Sequence, residues 1–347
     1  MTIDTSLYND LTALAHQHIV PEVEQALILD NALFKYFSED PGASEKLSGG
    51  TYIQKAIQFG ENNNVGFIPG DASALIPLNV NNQYLPATLN WKYFAAPLSI
   101  TFQDMVVTHD TEDAIVNMMT EKVRDTKGTV ARTMVAAMHG TSTSDVNSFN
   151  GLQDIFAASG TAYAGLIDTD VDTLHGYDDK GYSKWLCSID SSTQVFTFAA
   201  FNSALMKIKG RSQQAGGATN YKKYLSFCNS ELYAEFTNNE QIKQKFTPSK
   251  LLDAGFDATR IAGCDLVLDE YTPGSGSGTA DNYCYILSVP SIKLFYKYGW
   301  KGKTSPLDAS NLRVPNQPTL SNIEFFAGNL MCQNRRVNHV FTTLKPA

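Results

Sequence analysis

The sequence predicts an α+β fold, and three stretches carry the prediction. Residues 90–107, NWKYFAAPLSITFQDMVV, hold Trp91, Tyr93, Phe94, Leu98, Ile100 and Phe102, the aromatic and β-branched load of a sheet. The period then changes. Ile115, Met119, Val123, Val130, Met134 and Met138 recur near three, four and seven residues apart, one apolar stripe along a helix from about residue 110 to Met138. Near the end, Asn322 to Thr343 sets two strand-like runs on either side of a polar turn that holds Arg335 and Arg336.

In chain order, residues 7–37 read as helix. Leu11, Leu14 and Ala15 share a face, and Val23, Ala26, Leu27, Ala32, Leu33 and Phe37 continue it beyond Pro21, whose ring must break or restart the helix. Residues 38–50, SEDPGASEKLSGG, form a turn-rich linker. In TYIQKAIQFG a strand puts Tyr52, Gln54, Ala56 and Gln58 on one side and Ile53, Lys55, Ile57 and Phe59 on the other. GENNNVG then reads as a turn or open tip. Such an extended arm is marginal alone and makes sense lying on a neighbour.

The long helix has Thr108 or Asp110 as its cap, Glu112 and Asp113 favouring its first turn, and His139-Gly140 as its stop. At 1.5 Å per residue it is roughly 43 Å long, and Gly128 permits a bend or a close contact. Residues 141–192 are mostly irregular, with a short helix at Leu152 to Ala157. An apolar segment runs from Ser192 or Thr193 to Ile208, followed by the loop GRSQQAGGATN. Tyr224 to Phe227 is a strand. Asn229 or Ser230 caps a helix containing Leu232, Tyr233, Phe236 and Ile242. Ile261 to Leu268 and Tyr283 to Leu287 are further strands, separated by TPGSGSGTADN.

Composition narrows the function. The chain has 347 residues, 43% of them hydrophobic, so it is globular and long enough for two domains. Only 18% are charged, below the usual ~25%, so the surface is dressed with Asn, Thr, Ser and Tyr. Part of such a surface suits contact with a partner, where charge is costly to bury. The net charge of −8 provides no basic field for tight sequence-specific nucleic-acid binding. Cys187, Cys228, Cys264, Cys284 and Cys332 are odd in number and contain no CxxC, which argues for buried free thiols and against a disulfide framework or zinc knuckle. MTIDTSLYNDL lacks the pattern of a signal peptide, and no run of 18 apolar residues spans a membrane.

Residues for chemistry are scarce. His16 and His18 lie two apart on a helix and do not face each other; His109 and His139 sit at opposite ends of another; His175 and His339 belong to no metal motif. DTDVD, with Asp168, Asp170 and Asp172, opens like a calcium loop, but Thr173 stands where glycine is required and Asp179 where the final glutamate belongs. Ala215 to Gly217 and Gly274 to Gly278 lack the strand–turn–helix setting of a dinucleotide site, and no GxSxG is present. No catalytic, cofactor or metal residue is assigned.

From residue 48 to 343 the chain resembles the tailed-bacteriophage major capsid (coat) proteins of the Hong Kong 97-type fold. The stretches that carry this, in order, are SGGTYIQKAIQFGENNNVGFIPG, NWKYFAAPLSIT, EDAIVNMMTEKV, FNGLQDIFAASGT, LLDAGFDATRIAGCDLVLDE and AGNLMCQNRRVNHVFTT. The resemblance implies an N-terminal arm over 1–50 and an extended E-loop over 51–90. It implies a peripheral domain over 91–149 with a spine helix at about 110–138. An axial domain follows over 150–290, and return strands over 291–347 complete the peripheral domain. It implies a non-enzymatic subunit of the virion that assembles with itself in the bacterial host cytoplasm. Hexamers and pentamers then make an icosahedral shell around double-stranded DNA, which the wall touches non-specifically. Tyr52, Lys55 and Phe59 in the E-loop-like stretch are the expected inter-subunit contacts, with Arg335 and Arg336 pairing with a neighbour's carboxylates between Asp110 and Glu121. Other partners implied are a portal protein, a separate scaffolding protein (the arm is short) and a decoration protein. No covalent crosslink through Lys55 is expected. The competing readings are the shell protein of a bacterial nanocompartment, a phage accessory or tail protein, and an α+β enzyme without a recognisable motif.

Overall fold

In a computed structural model of the chain, the structure describes residues 31–40, 42–62, 64–65, 82–101, 112–177, 180–214, 223–238, 258–274, 282–298, 312–313 and 319–345. The readings made on residues 7–30, Thr108, His109, Asp110, 215–217, Ile242 and 275–278 lie outside the described residues.

The described chain begins with helix α1 (Ala32–Glu39), capped by Asn31, whose Oδ1 accepts from the Leu33 and Phe34 amides at 3.0 Å each. Strand β1 (Ser44–Lys46) follows, then the hairpin strands β2 (Tyr52–Gln58) and β3 (Tyr84–Asn90), and β4 (Lys92–Thr101). The apolar stripe becomes α2 (Glu112–His139), with Met134, Val135 and Met138 of its last turns buried. Short helices α3 (Leu152–Ile155) and α4 (Asp168–His175) come next, then the strands β5 (Ser188–Asp190) and β6 (Gln194–Val195) and helix α5 (Phe198–Gln214). Strand β7 (Tyr224–Cys228) leads into α6 (Ser230–Asn238), which Asn229 caps by accepting from the Leu232 amide at 3.1 Å. The remaining elements are all strands: β8 (Ala258–Ile261), β9 (Cys264–Leu268), β10 (Asn282–Ser288), β11 (Ile292–Tyr298), β12 (Leu312–Arg313), β13 (Thr319–Cys332) and β14 (His339–Lys345).

These strands make two mixed sheets and a separate hairpin. In the first sheet β13 is the axis. Its whole first part pairs antiparallel with β4, from Thr319↔Thr101 to Gly328↔Lys92, while β11 and β12 share its other edge. β1 lies parallel on β11. In the second sheet the order is β14-β10-β7-β9-β8, with β5 and β6 both parallel to β14 along its outer edge. The two runs of the final stretch therefore enter different sheets.

The second sheet is covered on both faces, which explains why β10 reads NYCYILS with no polar alternation. Tyr285 and Leu287 point into the main core, Cys284 and Ile286 into a second one. α5 closes the second core with Phe201, Ala204, Leu205 and Ile208, the i, i+3, i+4, i+7 face of a helix. The main core is continuous between the sheets. It joins Leu225, Phe227 and Val340 of one to Leu294, Phe326 and Leu330 of the other, with α1 and the end of α2 packed against it.

Besides the long passage from β4 to β5, two short crossovers carry the chain from sheet to sheet, and they lie side by side. One is the 3-10 turn Val289–Ser291 between β10 and β11, the other the 3-10 turn Arg335–Val337 between β13 and β14. Asn338 laces them together. It is fully buried, accepts from the Ser288 amide at 2.8 Å, and donates to Ser291 Oγ at 3.0 Å and Asn334 O at 3.1 Å. At the far end of α2 another buried knot forms. His139 Nε2 lies 3.1 Å from Asp269 Oδ2, which also accepts from Asn31 Nδ2 at 2.9 Å. Gly151 lets α3 butt against this helix end, since a Cβ there would fall within 2.8 Å of the carbonyl oxygens of Ala137, Met138 and Gly140.

Candidate assembly surface

The β2–β3 hairpin is the feature that the sequence singles out as an arm, and its register defines two faces. Ile53↔Leu89, Lys55↔Ala87 and Ile57↔Leu85 turn inward; Tyr52↔Asn90, Gln54↔Thr88, Ala56↔Pro86 and Gln58↔Tyr84 turn outward. On the inner face Ile53, Ala87 and Leu89 are buried in the main core. The described part of the arm thus rests on its own chain. Trp91 holds its base, donating from Nε1 to Gly50 O at 3.0 Å. The outer face carries no Asp, Glu, Lys, Arg or His, and Tyr52 and Tyr84 are 56% and 55% exposed there.

Lys55 sits on the inner side and is engaged. Its Nζ is 2.7 Å from Glu45 Oε1 and 5.1 Å above the Phe295 ring, and Lys293 Nζ reaches Glu45 Oε2 at 3.4 Å. Burial works to raise the Glu45 carboxyl, but the two lysines outweigh it and hold its pKa below the ordinary range. Phe59 is buried, edge-on to Trp185 at 5.5 Å and stacked on His175 at 6.1 Å. Lys184 Nζ fixes this end of the hairpin by donating to Phe59 O and His175 O at 3.2 and 2.8 Å.

The double arginine sits in the interior, not on the surface that its polar turn suggests. Arg335 is fully buried, and Arg336 is 8% exposed. Arg335 Nε donates to Ile155 O at 2.7 Å and Nη2 to Ala157 O at 2.8 Å, so it finishes the free carbonyl end of α3. Its guanidinium lies 5.1 Å from the Tyr163 ring and 5.6 Å from the Trp185 ring. Of the five residues expected at a subunit contact, Tyr52 alone stands in the open, Lys55 is half-buried, and Phe59, Arg335 and Arg336 are in the interior. Tyr84, Pro86, Thr88 and Asn90, which the sequence reading did not single out, are the other half of the outer face. The alternation in YLPATLN marks them, with Leu85, Ala87 and Leu89 as the apolar set.

The acidic run is not a calcium loop. Asp168, Asp170 and Asp172 lie in α4; Asp168 accepts from Ser159 Oγ at 2.6 Å and the Gly160 amide at 2.8 Å, and Asp172 from the Lys184 amide at 3.0 Å. Among the described residues no group of three or more His, Cys, Asp or Glu is placed to hold a metal ion. No helix among them is long and apolar enough to cross a membrane. A cavity of about 430 Å³ opens between α3 and β10, lined by Asp154, Phe156, Tyr163 and Tyr285 among others. Its carboxylate is occupied by Thr141 Oγ1, the Ser142 amide and Asn150 Nδ2, which tie the loop after α2 in place.

No protein family model and no curated protein sequence matches the chain. Solved structures do. The capsid asymmetric unit of cyanophage A-1(L) aligns at a TM-score of 0.60 and 12% identity, covering 87% of this chain and 90% of that one. The capsid of a native GTA particle aligns at 0.55 and 13%, covering 90% of each. The capsid of an empty GTA particle aligns at 0.51 and 12%, covering 87% and 88%. The chain has the fold of phage capsid proteins. That fold is the α+β Hong Kong 97-type, as the six sequence stretches imply.

Proposed function

We propose that this chain is the major capsid protein of a tailed phage. It assembles with itself into hexamers and pentamers, and those form the icosahedral head shell that encloses double-stranded DNA. The observation that carries the reading is the match to capsid chains over nearly the full length of both partners. The parts follow as proposals: an N-terminal arm over 1–50, an E-loop over 51–90, a peripheral domain over 91–149 to which β11, β12 and β13 of the 291–347 stretch return, and an axial domain over 150–290 whose sheet takes in β14. A portal protein, a separate scaffolding protein and a decoration protein are its proposed partners, and the virion capsid its location. Shape is the product here, so the reading calls on no catalytic residue.

The outer face of the hairpin is the proposed contact, with Tyr52 and Tyr84 as its anchors. A tyrosine brings a large apolar body with a polar tip at small entropic cost, and an uncharged face is desolvated cheaply. The test is negative-stain electron microscopy of the purified protein at rising concentration, with size-exclusion chromatography alongside. Closed shells or six- and five-fold rings are expected, in the presence of neighbouring phage genes if a scaffold is needed. Persistent monomers under both conditions reject the proposal. The double variant Tyr52→Glu/Tyr84→Glu is expected to raise the assembly concentration by at least roughly tenfold, because each contact then buries an unpaired carboxylate. Its circular dichroism should match that of the parent. Unchanged assembly places the contact elsewhere.

A further inference from the structure

All five cysteines are buried as free thiols. Two of them occupy a special place. Cys228 ends β7, and Cys284 stands directly opposite it in β10. In an antiparallel ladder, opposed residues alternate between pairs that exchange backbone hydrogen bonds and pairs that do not, and the second kind brings the side chains closer. The Val289 amide donates to Lys223 O at 3.0 Å, so that pair is of the bonded kind. Counting along the register from Val289 to Cys284 makes Cys284/Cys228 the non-bonded kind. The Cys228 carbonyl confirms this independently. It faces the other way and accepts from the Asp269 amide at 2.9 Å. Such a pair has its Cα atoms about 4.5 Å apart, inside the range that a disulfide spans.

We propose that Cys228 and Cys284 are an oxidisable pair. They are a dithiol in reducing surroundings and a cross-strand disulfide where low-molecular-weight disulfides prevail. The exchange is balanced: each cysteine gives up its proton and one electron, the sulfur–sulfur bond forms between β7 and β10, and one glutathione disulfide is cleaved to two glutathione thiols. Both side chains lie in the second core, and Cys284 Sγ is 3.5 Å from Ser226 Oγ. Cys264 shares that core but stands on β9, two strands from β10. The lateral step alone is about 9–10 Å, and the register adds four residues along the strands, too far to bridge to Cys284 without moving the backbone. The pair sits at the end of its ladder. β10 shifts register against β14 between Asn282 and Cys284, so the thiols become reachable by local opening and not by unfolding of the sheet.

Burial and the neighbouring sulfur push the Cys228 thiol well up, and burial raises Cys284 to about 12. Thiolate is therefore scarce and exchange slow. A cross-strand bridge is also short of ideal side-chain spacing, which makes it reducible and suits a switch better than a permanent staple. The biological setting rests on the capsid reading: a particle made in reducing cytosol would stiffen on release. The chemistry does not rest on it.

The full-length protein, in whatever state of assembly it is purified, would be incubated with glutathione disulfide and analysed by intact mass and peptide mapping. The expected product has lost the mass of two hydrogens, with peptides holding Cys228 and Cys284 linked. Its thermal midpoint should rise by several degrees and fall back on reduction. Cys284→Ala should abolish the link and the shift, while Cys264→Ala should keep both. If a variant fails to fold, the mapped link in the parent chain decides alone. Two glutathione adducts, a bridge through Cys264, or an unchanged mass after prolonged incubation and after refolding in the same buffer overturns the proposal. None of these outcomes depends on whether shells form.

Discussion

Replacing Arg335 with methionine is expected to cost the chain roughly 2–4 kcal/mol of stability, the largest effect of any single polar side chain described above. A buried ion pair can often be exchanged for apolar residues without loss, because both charges leave together. Arg335 is a different case. Its acceptors are the carbonyls of Ile155 and Ala157, which stay behind when the guanidinium goes. Two backbone acceptors then lose their charged donor at the end of α3, at about 1–3 kcal/mol each, offset in part by no longer burying a cation. Tyr163 and Trp185 also lose the cation between them. Methionine keeps the volume, so the loss is electrostatic and not a cavity. Arg335→Lys should recover less than half, since an ammonium lacks the fork that reaches both carbonyls. Urea midpoints at constant slope would show this. A methionine variant within about 0.5 kcal/mol of the parent would refute the assignment.

Acid is expected to destabilise the chain well before its carboxylates titrate, through His339. This residue is 2% exposed, edge-on to Phe341 at 4.4 Å, and neither ring nitrogen has a hydrogen-bond partner among the described residues. Burial pushes its pKa down from 6.5 to about 3; Lys207 and Arg211 add to this, and Asp190 opposes it. The sign follows from proton counting. Below pH 6.5 the unfolded chain binds a proton that the folded chain refuses, so stability is complete above that pH and falls as pH is lowered. Between pH 6.5 and 4.5 the loss is about 2–3 kcal/mol, growing further toward the folded value. Asp40, Glu45, Asp168 and Asp190 have lowered pKa values and yield their share as pH falls through the ordinary carboxylate range and below it. The window above about pH 5 therefore isolates histidine. His339→Leu should remove most of the slope there, leaving the small part due to His175, whose pKa burial and Lys184 also lower. A slope as steep in the variant as in the parent would contradict the mechanism.

The sequence made some of this legible and hid the rest for physical reasons. The apolar stripe announced α2, and Asn229 or Ser230 announced α6, because helix signals are local. The alternation in YIQKAIQ assigned every side chain of β2 to its correct face. Partners far apart in sequence leave no such mark. β13 meets β4 across more than 200 residues, and β1 meets β11 across a similar gap, so the division of the final stretch between two sheets was hidden. Arg335 and Arg336 misled for the same reason. Two arginines in a polar turn look solvated until the carbonyl end of α3 arrives from elsewhere to receive one of them. DTDVD looked like a loop, yet acidic residues in a first turn also favour a helix, and α4 is the result. The capsid fold itself was legible only as an ordered series of weak local likenesses, none of which names a contact residue.

The paired crossovers bear on how this molecule can change shape. A plate attached to another at one point can swivel, and one attached at two can still tilt about the line between them. Here the two short crossovers are themselves bolted together through Asn338, Ser291 and Asn334, and both Asn338 and Ser291 are fully buried. That tie resists both motions. The angle between the two sheets is then expected to act as a fixed dimension of the subunit, like the angle of a bracket. Any bending the chain performs is then expected outside that joint.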